Sequence, residues 1–297
     1  MSSADLSSIP LKQRLAARGY DGLTLLCLPA ILFLLALFIY PFLYGLVLSF
    51  EPKQGGIFAN YQRFFSDSFL YGTIGTTLWL ALPVTIATLV LAIPIAFRVR
   101  LMKNQRLLTT ILVVPITLGT VLVAEGLLNY LGPQGWFNRT LMTFGIISSP
   151  VKLLHNYWGV MLSLVITGFP FTFLLTLSYL SGIDPALEQA GATLGAGPWD
   201  RFKHILLPLL LPGLAITFCL SFVQAFSVFP SAVLLGAPSG PTRVISIAAY
   251  QAAFEEYDYS MASAVAMIMG VVQLTIVVLV LGVRGLFYRG PAGGGKG

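Results

Sequence analysis

Long apolar runs broken by short polar clusters dominate the chain. A helix that crosses a bilayer needs about 20 consecutive apolar residues. Six stretches qualify, residues 23–50, 74–97, 107–131, 157–180, 206–235 and 261–283. None alternates polar and apolar positions in the way of a membrane strand, so the pattern predicts a helical bundle. The first stretch is longer than the apolar core of a signal peptide, about 7–15 residues. Tyr40-Pro41-Phe42 also stands where a small-residue cleavage site belongs, so this stretch reads as a retained span. Pro83, Pro94, Pro115, Gly168, Pro170, Pro212 and Gly213 fall inside spans. Ordinary membrane-helix composition accounts for them, and so does a bundle that flexes or lines a cavity.

Composition agrees with the pattern. Of 297 residues, 57 % are hydrophobic and 9 % are charged, with a mean hydropathy of +0.86. A soluble domain carries about 25 % charged residues, so this chain cannot cover a water-facing surface. A soluble enzyme, a secreted disulfide scaffold and a disordered chain are excluded. Cys27 and Cys219 both sit in apolar runs without a C-x-x-C spacing, which disfavours a disulfide framework or zinc knuckle.

The net charge of +6 is unevenly distributed. Lys12, Arg14, Arg18, Arg98, Arg100, Lys103, Arg106, Arg201, Lys203, Arg284, Arg289 and Lys296 fall on one set of loops; Lys53, Arg63, Arg139, Lys152 and Arg243 fall on the other. Twelve against five predicts that both termini are cytoplasmic. The acidic run Glu255-Glu256-Tyr257-Asp258 then falls outside, where docking of another protein is a plainer role for it than solute attraction. The expected organisation is a cytoplasmic segment over 1–22, a six-span domain over 23–288 and a flexible tail over 289–297. The tail superficially matches G-x-x-x-x-G-K, but Gly297 stands where a phosphate loop needs Ser or Thr for magnesium. His155 and His204 fall on opposite sides of the membrane and cannot share a metal, and no hydrolase motif is present.

The loop over 181–207 carries the most information. Asp184-Pro185 reads as a cap followed by proline in the first helical turn. An Ala-rich helix is expected over 186–194, a break at Gly195-Ala196-Gly197-Pro198, and a basic, aromatic helix over 199–205 leading into the fifth span. Small residues on a short surface helix let another protein approach closely.

This loop resembles the signature of permease subunits of bacterial binding-protein-dependent ABC importers. The family pattern is E-A-A, three residues, Gly, nine residues, I-x-L-P. Gly195, Ile205, Leu207 and Pro208 fit it; Gln189-Ala190-Gly191 stands at the E-A-A triplet, and Glu188 lies one residue early. Weaker likeness runs from Tyr40-Pro41 through Gly132-Pro133-x-Gly135 to Ala262-Ser263-Ala264. Leu194-Gly195-Ala196 resembles the sulfate, polyamine and ferric-iron branch more than the sugar branch.

The resemblance implies an all-α permease with a coupling helix between spans four and five, in the bacterial inner membrane. It implies two ATP-binding subunits, a second permease that is either a related chain, which is favoured, or a second copy, and a periplasmic binding protein. ATP and magnesium would be held by the partner ATPase, and no cofactor or metal by this chain. Glu188, Gln189, Ala190, Gly191, Gly195, Ile205, Leu207 and Pro208 would form the ATPase contact. The branch implies a small polar or charged solute, with polyamines or other amines first, and oxyanions, phosphonates or iron second.

Glu125 is the one acid within the six apparent spans. A charge at mid-membrane costs about 2.5–3.5 kcal/mol on insertion scales, so it should pair, protonate or meet water. Structural pairing and a place on the solute path are both open. Asn129, one turn on, and Gln224 in span five complete the expected polar lining. Two other classes are weighed: a secondary transporter, which would usually show inverted repeats and more intramembrane charges, and a membrane-embedded enzyme or assembly factor.

Overall fold

A computed structural model describes residues 28–287. Cys27, the basic residues Lys12, Arg14, Arg18, Arg289 and Lys296, and the 290–297 tail lie outside the described residues, as do the expected 1–22 and 289–297 segments.

Within the described residues the chain runs α1 (Leu28–Ser49), α2 (Ala59–Ser66), α3 (Ser68–Arg100), α4 (Gln105–Leu131), α5 (Trp136–Thr143) and α6 (Tyr157–Ser181). It continues through α7 (Pro185–Thr193), α8 (Pro198–Phe226), α9 (Pro230–Leu235), α10 (Ile245–Tyr250) and α11 (Tyr259–Phe287). The helices α1, α3, α4, α6, α8 and α11 are the six spans, so the all-α, six-span reading holds.

Hydropathy alone misplaces two boundaries. The expected stretch 206–235 is two helices, because α8 ends at Phe226 and α9 starts at Pro230. Pro230 has no N–H to donate and disfavours helical backbone in the residue before it, and Phe229 accordingly sits at φ −136°. The second span begins six residues early, at Ser68, where the Asp67 carboxylate accepts from Phe69 N at 2.8 Å and caps the helix. The short helices α2, α5, α9 and α10 are too brief for the span-length criterion to find.

Helices α3, α6 and α8 form the centre, α4 packs on α6, and α1 packs on α11 at the periphery. The apolar faces of α1 and α4 stay largely exposed in this single chain, as a bilayer or a second subunit permits. Pro83 inside α3 leaves the carbonyl of Trp79 without its usual helical donor. The Tyr157 hydroxyl at the start of α6 donates to that carbonyl and satisfies it.

The core is two apolar clusters with a hydroxyl layer between them. Val84, Leu164, Phe222 and Ala225 belong to the cluster towards the α10 end. Ala92, Phe173 and Leu214 belong to the cluster towards α7. Between these positions on each span lie Thr88, Thr167 with Thr172, and Ser221, all buried. The sequence shows these only as scattered hydroxyl residues in three separate runs. Packing alone brings them into one layer.

Candidate coupling loop and membrane cavity

Helix α7 begins as its sequence requires: Asp184 Oδ1 accepts from Ala186 N at 2.9 Å and Pro185 occupies the first turn. It ends on Gly195 at φ +81°, with Gly195 N bonding Ala192 O and Ala196 N bonding Gly191 O, both at 3.0 Å. That closes the last turn in the left-handed manner glycine permits. Pro198 then starts α8. A π-turn over Phe202–Leu206 follows, in which Leu207 N reaches back to Phe202 O just before Pro208.

The two short helical arms fold onto each other at Gly191. A Cβ there would lie 2.7 Å from Ile205 Cδ1 and 3.3 Å from Arg201 Cγ. The third residue of the divergent triplet is therefore glycine because Ile205 covers it. Gly191→Val should lower the melting temperature of the purified complex, since overpacking of this kind costs about 1–3 kcal/mol. A melting temperature equal to wild type would show that the arms are not packed this way.

Glu188 is turned inward. Its carboxylate pairs with the Arg100 guanidinium at the end of α3, and the two side chains are 17 % and 12 % exposed. A second Arg100 nitrogen donates to Leu180 O at 3.4 Å, so one arginine joins α3, α6 and α7. Beside it Phe97 meets Phe202 edge to face at 5.6 Å between centroids, and Phe202 stacks on Trp199 at 5.5 Å. Gln189 and Ala190 face outward instead. Leu194 is 88 % exposed and Trp199 70 % exposed, so the loop presents two large apolar groups beside the outward-facing small residues. Sequence reasoning counted Arg100 only as a loop charge, because nothing in the spacing places it against a residue 88 positions away.

A cavity of about 280 Å³ lies in the hydroxyl layer. Thr88, Thr167, Thr172, Ser221, Gln224, Ser227 and Ser231 contribute its polar lining, and no lining side chain is ionisable. Thr120 from α4 also borders it, next to a break at Gly119, whose φ of +75° interrupts the third span. Of the three residues expected to line a path, Gln224 borders this cavity. Glu125 and Asn129 lie together on an exposed face of α4, where Asn129 Nδ2 donates to Glu125 O at 3.1 Å. Neither lines this cavity.

Residues 103–290, close to two thirds of the chain, match the family described as the binding-protein-dependent transport system inner membrane component. The chain belongs to this family. It is a permease subunit of a binding-protein-dependent ABC importer, a multi-pass inner-membrane protein and a transport component rather than a catalytic enzyme. Permeases of this kind work with ATPase subunits and a periplasmic binding protein.

This permease is 28 % identical over 188 residues to the probable sulfate transport system permease protein cysT of Prototheca wickerhamii, covering 63 % of this chain and 71 % of that one. It is 30 % identical over 209 residues to the spermidine/putrescine transport system permease protein PotB of Haemophilus influenzae, covering 66 % and 71 %. The same fold occurs in a bacterial ABC transporter involved in import of the acidic polysaccharide alginate. There the TM-score is 0.74 at 23 % identity, over 93 % of this chain and 98 % of that one. The MetNI methionine ABC transporter shares it at a TM-score of 0.59 and 16 % identity, over 74 % and 96 %.

At the end of the permease away from α7, the acidic run is largely occupied by its own chain. Arg63 reaches Glu256 at 3.5 Å and Asp258 at 3.7 Å, and Lys53 Nζ donates to Tyr257 O at 3.0 Å. Asp258 also caps α11, accepting from Met261 N at 3.1 Å. Arg243 is buried, stacked 4.1 Å over the Phe69 ring and donating to Gln251 Oε1 at 2.5 Å. Burial pulls its pKa below the ordinary arginine value, while the Asp67, Glu256 and Glu255 carboxylates oppose that shift. These contacts tie the segment between α1 and α3 to the segment between α8 and α11.

Proposed function

We propose that this permease forms half of the path for a small amine, with a polyamine as the first choice, and that residues 185–208 are where an ATP-binding subunit drives it. The supporting observation is the shape of the loop: an ordered pair of helical arms that leaves Leu194 and Trp199 uncovered by the rest of this chain. An exposed tryptophan and leucine beside small residues suit a protein groove. Gln189, Ala190 and Gly195 lie on this outward side. Glu188, Gly191, Ile205, Leu207 and Pro208 set its shape.

The loop face is cytoplasmic in this reading, with both termini on the same side, as the basic-residue count indicates. Two ATP-binding subunits hold the ATP and magnesium, a distinct second permease supplies the other half of the path, and a periplasmic binding protein delivers the solute. Reconstitution of this chain with those partners tests the assembly. Transport by this chain alone in liposomes would overturn it.

The amine reading rests on the likeness to polyamine permeases and on Glu125, the acid within the spans. Glu125→Gln keeps shape and removes charge, so it should lower spermidine uptake about tenfold while complex yield stays at wild-type level. Unchanged spermidine uptake would leave Glu125 as a structural residue. Sulfate uptake by the wild type, unaffected or improved by the substitution, would favour the oxyanion reading that the likeness to a sulfate permease supports.

A further inference from the structure

The hydroxyl groups in the cavity have a direction. Thr88 Oγ1 donates to Thr85 O at 3.0 Å, Thr167 Oγ1 to Ser163 O at 2.9 Å, and Thr172 Oγ1 to Gly168 O at 3.0 Å. A carbonyl can only accept, so each of these bonds commits the single proton of its hydroxyl to the helix backbone. With the Thr172 proton on Gly168 O, the 2.8 Å bond between Ser221 and Thr172 takes the Ser221 proton. Four oxygens from α3, α6 and α8 therefore offer lone pairs to the cavity. Thr172 brings three of the spans together, lying 2.8 Å from Ser221 and 3.4 Å from Thr88. The Gln224 amide is the one side-chain N–H donor among the lining residues.

We infer that this mid-membrane cavity is a transit site for alkylammonium groups and discriminates against oxyanions. An ammonium carries three N–H donors and no acceptor, which complements a wall of lone pairs. An oxyanion needs O–H, N–H or cationic donors; the protons of these four hydroxyls are already committed and the wall lacks a cationic side chain. The volume of about 280 Å³ exceeds that of a single water, roughly 30 Å³ of liquid, several times over, so an aminoalkyl segment fits. No carboxylate lines the cavity. A cation there gives up hydration without gaining a countercharge, so it binds weakly and leaves readily, as a conduit requires. The inference deepens the amine reading and rests on it for the choice of solute, but the lining chemistry is independent of Glu125.

The test uses the full complex with its ATPase and second permease in nanodiscs of neutral phosphatidylcholine. Binding of spermidine and of sulfate is followed by thermal shift at matched ionic strength. Spermidine should stabilise the wild type, and Thr172→Val with Ser221→Ala should weaken its apparent Kd by about tenfold or more, the loss expected for hydrogen bonds to a charged group. Thr167→Val, a single edge substitution, should shift the Kd in the same sense by less, and it serves if the double variant fails to assemble. No spermidine binding, equal binding by the variants, or tighter binding of sulfate overturns the cavity assignment. Uptake is measured separately in proteoliposomes with the binding protein. Spermidine uptake that the variants leave unaltered removes the cavity and keeps the amine reading. Spermidine held in the cavity but not imported keeps the cavity and removes that reading.

Discussion

Replacing Gly195 with valine should reduce solute uptake by at least about tenfold while the permease still assembles in the membrane. The backbone at Gly195 has φ +81°, a region that costs an L-residue about 1–2 kcal/mol and a β-branched one more. The cost is purely conformational within this chain, because nothing lies within 4 Å of the position a Cβ would take. The core does not feel the change, and the bundle stays folded. The two 3.0 Å bonds that close α7 onto Gly195 and Ala196 are strained instead, and Leu194 loses its presentation. ATP hydrolysis by the complex should then persist without transport. Gly195→Asn separates the two causes, since asparagine tolerates the left-handed region but still adds a side chain to the face. Recovery of uptake with asparagine would assign the defect to the turn, and continued loss would assign it to obstructed docking. Wild-type uptake and ATPase stimulation in the valine variant would end the case for Gly195.

Arg100→Ala should have a comparable effect by a different route. The substitution leaves the Glu188 carboxylate, 17 % exposed in the intact pair, without its partner, and removes the arginine's bond to Leu180 O, which keeps its bond from Ile183 N. Removing one side of a largely buried pair costs on the order of 2–4 kcal/mol, most of it for the charge left behind. The side chain lost is the one that joins α7 to α3, and α3 carries Thr88 in the cavity wall. Motion of the loop would then no longer reach the wall, and uptake should fall about tenfold relative to ATP hydrolysis. The exchange Arg100→Glu with Glu188→Arg restores a pair of opposite charges and should recover part of the coupling. A pair that served folding alone would be rescued in melting temperature but not in the ratio of transport to hydrolysis. A single Arg100→Ala variant with a wild-type ratio would remove the link altogether.

The six spans, the absence of a soluble core and the helix–break–helix loop were legible because each depends on local runs. About 20 apolar residues must be helical in a bilayer wherever their partners lie. Asp184-Pro185 and Gly195 act on their own turns, and both do in the structure what their sequence implies. The family itself followed from the spacing of Gly195, Ile205, Leu207 and Pro208, a property of the chain alone.

Long-range placement was not legible. Glu188 could be seen to lie one residue out of register, but only the packed bundle turns it to Arg100 rather than to the surface. Gly191 departs from the pattern in the sequence, and only the fold sets Ile205 above it. Glu125 stood out because a charge in an apolar run is conspicuous, yet the cavity formed around hydroxyl residues that membrane helices tolerate everywhere. A threonine satisfied by its own helix leaves no mark on hydropathy or spacing. Only when three spans pack at one depth do their oxygens face each other, and that depth is set by tertiary packing.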